Sequence, residues 1–185
     1  MRIIAGEFRG RRLAAVGKGD PGAHLRPTTD RVREALFNML DGGRFGAPFD
    51  GTRVLDLFAG TGALGLEALS RGAVFVTFVE KGRVGQRLIR ENLGILGCES
   101  RARMIGADVL RLPAAEAPAD LVFLDPPYGK GLGEKALASA REAGWIAPEA
   151  LVVWEESAPQ LAPDGFSLLE HRRYGDTTVT LLEAD

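Results

Sequence analysis

This chain holds one cysteine, Cys98, two histidines, two tryptophans and two tyrosines in 185 residues. A single cysteine excludes an internal disulfide. With so few histidines there are also too few soft ligands for a zinc site, so no metal is expected. No histidine lies near Cys98 in sequence, which disfavours a cysteine nucleophile; the residue reads as a structural thiol at a helix end. No stretch approaches the roughly 20 apolar residues of a membrane span. The amino-terminal stretch is charged and lacks the apolar run of a secretory signal, so a cytoplasmic address and no membrane partner are expected. Asparagine and glutamine are scarce and arginine exceeds lysine. That bias fits a GC-rich genome, without the lysine enrichment of hyperthermophiles. There are no internal repeats and no low-complexity tracts.

What is present supports one domain with at most a small appendage. A hydrophobic fraction of 45% is ordinary for a chain with a real core. The net charge of −2 hides an asymmetry. Residues 1–33 carry eight basic and three acidic groups, a net of +5, which leaves −7 on the remainder. A local basic patch is what phosphate contact needs, whatever the total. The candidate phosphate-contacting residues are Arg2, Arg9, Arg11, Arg12, Arg26 and Arg33. A solvated arm is the plainer alternative for any one of them. It is weaker for Arg9-Gly10-Arg11-Arg12, where glycine lets a backbone approach closely.

Asp125-Pro126-Pro127-Tyr128 follows the apolar run Leu121–Leu124, which reads as a short buried strand. The strand ends on a carboxylate, two rigid prolines and an aromatic ring. Proline fixes φ and removes the N–H, and it pushes the preceding residue toward extended geometry. The carbonyls are left as acceptors beside a flat ring. That arrangement suits a nucleobase with an exocyclic amine: the amine donates to the acceptors and the base stacks on Tyr128. A Pro-Pro turn ending a strand is the plainer alternative.

Upstream, Val54–Phe58 reads as a strand running into Gly60, Gly62 and Gly65, in the pattern G-x-G-x-x-G before a helix. Glu80 follows the apolar run Val74–Val79, about twenty residues on, where an acid would hold ribose hydroxyls. Asp56 argues against a dinucleotide, because a carboxylate just before the glycines would repel a pyrophosphate at the helix N-terminus. S-adenosylmethionine has an ammonium and a sulfonium and no phosphate. Asp56 suits its ammonium, Glu80 its ribose, and Asp108, after Ala102–Ile105, its adenine amine. A strand-end cap of the next turn is the alternative for Asp56. Three acids ending three successive strands favour the ligand site, since parallel strands bind ligands at those ends. Phe58, Gly60, Gly62, Lys81, Val109 and Asp125 complete the expected cofactor site.

With these motifs the chain resembles class I S-adenosylmethionine-dependent methyltransferases acting on an exocyclic amine. The segment Leu25–Asn38, preceded by Arg2–Gly10, is narrower. Together they resemble the RsmD-type enzymes that methylate N2 of a guanine in small-subunit (16S) ribosomal RNA. The resemblance runs over nearly the whole chain. It implies guanine 966 as the target and an assembled or assembling 30S particle as the substrate; a monomer is the default expectation. It also places Thr29 and Asp30 near the methionine end of the cofactor. The catalytic residues it implies are Asp125, Pro126, Pro127 and Tyr128.

The expected fold is α/β: a Rossmann-like, mostly parallel seven-stranded sheet, helices on both faces, and an antiparallel closing hairpin. Residues 1–27 form a basic extension, with 2–8 pairing 11–16 as a hairpin and 17–27 as a loop; residues 28–185 form the methyltransferase domain. A helix starts at Thr28 or Thr29 with Val32, Ala35, Leu36, Met39 and Leu40 on its apolar face, and Gly42-Gly43 ends it. Strands are expected near 53–58, 74–79, 102–105, 121–124 and 151–156. Helices are expected near 62–71, 83–97 and 133–143, with a helical turn near 109–116. Phe166–Tyr174 and Thr177–Glu183 close the sheet around Gly175-Asp176. The rival functions are a DNA adenine-N6 methyltransferase, a protein glutamine methyltransferase, a non-catalytic RNA-binding assembly factor and an NAD-dependent oxidoreductase. The first usually needs a separate recognition domain for which there is no room. The second typically has Asn in place of Asp125.

Overall fold

The computed structural model describes residues 1–16 and 30–185. Its sheet has seven strands in the order β3-β2-β1-β4-β5-β7-β6. These are β1 (Arg53–Leu57), β2 (Phe75–Val79), β3 (Ala102–Ile105), β4 (Ala119–Leu124), β5 (Ile146–Glu156), β6 (Phe166–Tyr174) and β7 (Thr177–Ala184). The first five run parallel; β7 is antiparallel to both β5 and β6. The helices are α1 (Asp30–Leu40), α2 (Ala63–Ser70), α3 (Arg83–Leu96) and α4 (Leu132–Glu142). This is the architecture expected from the alternation of apolar runs and helical segments.

Both faces of the sheet are buried, because strand alternation sends side chains to two cores. Val54, Leu121, Phe123 and Val153 join Leu36 and Phe37 of α1 on one face. Leu55, Leu57, Val122, Leu124 and Val152 join Leu137 of α4 on the other. Gly65 sets how closely α2 approaches: a Cβ there would lie 2.5 Å from Phe78 and 2.7 Å from Val76. The third glycine of the fingerprint is thus a packing residue.

Three expectations change. First, no helical turn forms at 109–116; only a turn from Asp108 to Arg111 remains, closed by Arg111 N–H on the Asp108 carbonyl. Pro113 lacks an N–H and disfavours helical geometry at Leu112. Its carbonyl instead accepts from the Trp145 indole at 2.8 Å. Second, the buried stripe of α1 is rotated by one residue from the expected face: Arg33, Leu36, Phe37 and Leu40 are fully buried. Phe37 sets the rotation, stacking on Phe49 at 5.3 Å and meeting Phe123 at 5.6 Å. Third, the 2–8/11–16 hairpin is shorter than expected: one antiparallel bridge, Arg2 with Arg12, flanked by the Ile3 N–H on the Arg11 carbonyl (3.0 Å), the Gly10 N–H on the Ile3 carbonyl (2.9 Å) and the Leu13 N–H on the Met1 carbonyl (3.2 Å).

The amino-terminal segment is instead stitched to the helices. Ile3, Phe8 and Leu13 are buried in the core that holds α1 and α2. Glu67 on α2, fully buried, accepts from the N–H groups of Ile4 (2.8 Å) and Ala5 (3.0 Å) and pairs with Arg71 at 2.9 Å. Ser70 Oγ accepts from Phe8 N–H at 2.9 Å. Gly6 must be glycine: its φ is +80°, and a Cβ would overlap the Ser70 carbonyl. The expected helix start at Thr28 or Thr29 and the loop 17–27 lie outside the described residues.

Removing the Glu67 side chain leaves two part-buried backbone donors without their acceptor and takes from Arg71 its buried partner, leaving it Asp41 alone. Glu67→Ala should therefore cost about 3 kcal/mol of unfolding free energy. Urea denaturation measures it; an unchanged midpoint would mean that the amino-terminal segment does not depend on this carboxylate.

Candidate active site

Parallel strands all end at one edge, so β1 to β4 deliver Asp56, Glu80, Asp108 and Asp125 to the same side of the sheet. The register sets Leu57 beside Val79 and Leu124, and Val79 beside Ile105. The strand ends share one edge, as the sequence reading expects of a parallel sheet.

Each acid has a distinct setting. Asp56 is 2% exposed, and its Oδ2 accepts from Gly65 N–H at 3.0 Å. Gly62, the N-cap of α2, offers no side-chain cap, so Asp56 supplies the missing acceptor from the neighbouring strand. The capping alternative is thus real, and the other carboxylate oxygen is left for a second role. Burial is the main cause that pushes the Asp56 carboxyl up to about 7, opposed by the Gly65 bond and reinforced by Asp125 and Glu80. Glu80 braces the glycine turn: its carboxylate accepts from Gly60 N–H at 2.9 Å and Gly82 N–H at 2.6 Å. Gly85 opens room for it, since a Cβ there would lie 2.7 Å from Glu80 and 2.8 Å from the Gly60 carbonyl. Asp108 accepts from Leu110 N–H at 3.1 Å and pairs with exposed Lys81 at 3.3 Å. The Leu110 bond is the chief cause that lowers its carboxyl below the usual value. Val109 is buried in the second core, with Phe58 packed against it.

Phe58 stands at φ +60°. A bulky side chain in the left-handed region costs on the order of 1–3 kcal/mol, and such strain gathers where geometry serves function. It turns the chain sharply from β1 into Gly60 (φ +56°) and Gly62 (φ +78°).

The loop after β4 is held from the far side of the sheet. Pro126 is buried, Pro127 is exposed, and Tyr128 is half-buried. The Tyr128 hydroxyl lies 3.3 Å from Thr177 Oγ1 of β7. Gly129 N–H donates to Glu156 at 2.8 Å. Burial is the main cause that raises the Tyr128 phenol to about 12, so it stays neutral.

Sequence reasoning missed Glu155, Glu156 and Asn92. Glu155 and Glu156 follow the apolar run Leu151–Trp154, so their place at a strand end is readable. Asn92 on α3 joins the amino-terminal segment to the glycine turn: it accepts from Ala14 N–H at 2.6 Å and donates to the Thr61 carbonyl at 3.0 Å. No sequence pattern marks such a bridge.

Of the arginines, Arg2, Arg9, Arg11 and Arg12 are exposed. A cavity of about 360 Å³ lined by Arg2, Ile3, Ile4, Arg9, Gly10 and Glu34 opens beside them. Arg33 does not belong with them: it is fully buried and its guanidinium donates to the Arg2 carbonyl. A side chain shielded from solvent cannot meet phosphate; its work is to tie α1 to the amino-terminal segment. Asp30 opens α1. Thr29 and Arg26 lie outside the described residues. Among the described residues no acid, histidine or cysteine cluster forms a metal site, and no helix is long and apolar enough to cross a membrane.

A family model described as conserved hypothetical protein 95 matches residues 1–183. The chain belongs to this family. It is 40% identical to the ribosomal RNA small subunit methyltransferase D of Escherichia coli strain K12, covering 100% of this chain and 90% of that protein. It is 38% identical to the Haemophilus influenzae protein of the same name, covering 99% and 93%. A solved methyltransferase structure from Escherichia coli superposes with a TM-score of 0.81 at 37% identity, covering 100% of this chain and 98% of that one. The fold is the class I methyltransferase fold.

The Asp56 environment makes a pH prediction. Its folded carboxyl titrates above its unfolded value, so the folded state binds more protons between pH 3.8 and about 7. Stability from this group is therefore highest below that window, falls as pH rises through it, and levels off above about 7. Asp56→Asn keeps an acceptor for Gly65 and removes the titration. Its denaturation midpoint should gain on the parent as pH rises from about 4 to about 7; parallel pH profiles would contradict the buried acid.

Proposed function

We propose that this protein transfers a methyl group from S-adenosylmethionine to the exocyclic N2 of a guanine in small-subunit ribosomal RNA, in the cytoplasm. The target expected from the resemblance is guanine 966, on an assembled or assembling 30S particle. The observation that carries the reading is the rigid Asp125-Pro126-Pro127-Tyr128 loop beside an acidic, phosphate-repelling cofactor edge, in a chain whose relatives bear the name ribosomal RNA small subunit methyltransferase D.

The residues fit this methyl donor. Asp56 is a buried acid whose own charge is unfavourable without a cation, and the donor's ammonium supplies one. Glu80 already braces Gly60 and Gly82, and a carboxylate has further lone pairs for ribose hydroxyls. Asp108, Val109, Lys81 and Phe58 would hold the adenine end; the expectation for Thr29 and the Asp30 side chain falls outside the described residues. The donor brings a methyl already activated by its sulfonium, so the chain needs no metal and no covalent nucleophile.

The protein's task is the target amine, whose lone pair is delocalised into the ring. Asp125 and the Pro126 carbonyl accept its N–H bonds and orient it; Tyr128 stacks on the extruded base. Positioning is the largest contribution, worth roughly 7–11 kcal/mol in well-oriented systems. An unpaired loop of RNA lowers the cost of extrusion. Arg2, Arg9, Arg11 and Arg12 take phosphates. A monomer suffices for this scheme.

Transfer of labelled methyl to unmodified small subunits, naked ribosomal RNA and DNA, followed by mass spectrometry of the nucleosides, tests the reading. N2-methylguanosine in RNA is expected; N6-methyladenine in DNA would overturn the substrate, and no transfer would overturn the activity. Asp125→Ala should abolish turnover while the donor's dissociation constant stays within about threefold. A comparable loss of donor affinity would contradict the role assigned to Asp125. Replacing Arg9, Arg11 and Arg12 together with alanine should weaken RNA binding and reduce its salt slope by about two to three. An unaltered slope would make this patch a solvated arm.

A further inference from the structure

Among the described residues, Glu155 is an acid at the site edge that the methyl-transfer scheme leaves unused and that no hydrogen bond engages. It is 1% exposed, and both its carboxyl oxygens are buried without a hydrogen-bond partner. Strand register places it. Val153, two residues earlier, faces the core that holds Phe123 and Val54. Alternation therefore turns Glu155 to that same face, one step nearer the edge. Leu124 pairs with Trp154, which brings Asp125 alongside Glu155; Asp56 pairs with Phe123, one strand further. Three acids from three adjacent strands thus share one face.

A structural role does not account for Glu155. The same protein shows what a structural buried glutamate looks like: Glu67 receives two backbone N–H bonds and an arginine. Glu155 receives none. A buried polar group left in this way is destabilising, and more so if charged. Its charged neighbours are Asp125 and Asp56, both acids; Tyr128 feels the same field and is neutral. Glu156, the next residue, is engaged with Gly129, and Arg33 on α1 with the Arg2 carbonyl. Desolvation is the first cause that pushes the Glu155 carboxyl well above its usual value, and Asp125 and Asp56 add to it.

We propose that Glu155 is a positioning residue of the methyl-transfer site: it stays protonated, presents its O–H to Asp125, and so keeps Asp125 ionised and aimed at the target amine. This rests on the reading of Asp125 as the amine acceptor. A protonated acid beside an ionised one divides the labour of two like groups that cannot both be charged. Glu155 itself takes no part in bond making.

The test combines two substitutions with a readout independent of turnover. Carbon-13 NMR of glutamate-labelled protein, with Glu155→Gln used for assignment, reports the carboxyl directly. It should stay protonated at neutral pH; an ionised Glu155 there overturns the proposal. Glu155→Leu should lower kcat on the order of tenfold to a hundredfold, with the donor's dissociation constant unchanged and the melting temperature equal or higher. Glu155→Gln, which keeps an N–H donor in place of the O–H, should recover most of that loss. A parental kcat in Glu155→Leu, or Glu155→Gln as slow as Glu155→Leu, overturns the proposal. A lower melting temperature that parallels the loss of kcat would make Glu155 a structural residue, which also overturns it. A parent that methylates no RNA counts against the methyl-transfer reading, while the titration still decides on Glu155.

Discussion

Like charge held in a small desolvated space is the constraint on which this structure turns. Parallel pairing carries the ends of β1 to β5 to one edge, and each of the five strands brings an acid there: Asp56, Glu80, Asp108, Asp125 and Glu155. Asp56 lies in the field of Asp125 and Glu80, and Glu155 in that of Asp125 and Asp56, in a desolvated space where repulsion is strong. The protein manages this by giving some of them backbone donors. Asp56 holds Gly65, and Glu80 holds Gly60 and Gly82. These bonds are also what shapes the glycine turn. The turn and the charge are therefore one design: the acids hold the loop, and the loop's N–H groups hold the acids. What remains unsatisfied is negative, and it favours a cationic ligand over an anionic one.

The rest of the molecule is arranged around that edge. Phe37 of α1 packs on Phe123, two residues before Asp125. Asn92 ties the basic amino-terminal segment to the carbonyl of Thr61 in the glycine turn. Thr177 and Glu156 hold the Tyr128 loop from β7 and β5. Elements far apart in sequence thus meet at the proposed donor site and the proposed base site.

Much of this is legible in the amino-acid sequence. An acid directly after an apolar run marks both a strand end and a site, so Asp56, Glu80 and Asp125 stand out. The glycine spacing marks the turn between β1 and α2. What is not legible depends on three-dimensional partners. Periodicity alone puts Val32 and Ala35 on the buried face of α1, because Arg33 is charged and its burial needs the Arg2 carbonyl. The amino-terminal segment reads as an appendage because Glu67 and Ser70, which anchor it, lie about sixty residues away in sequence. Pro113 is visible, yet the stretch around it reads as a helical turn; its non-helical course is held by Trp145. Glu155 is hidden by composition, since two adjacent glutamates closing a strand look like an ordinary solvated end.

The central claim is that the edge of the sheet is an acidic receptor for the cationic methyl donor. Calorimetry of S-adenosylmethionine binding near pH 7, in two buffers of different ionisation enthalpy, tests it most directly. With Asp56 titrating at about 7 in the free protein, an arriving ammonium should expel its proton, and net release of up to about half a proton per site is predicted. Asp56→Asn should lose that release. Binding with no proton exchange, or with net uptake, would contradict the account.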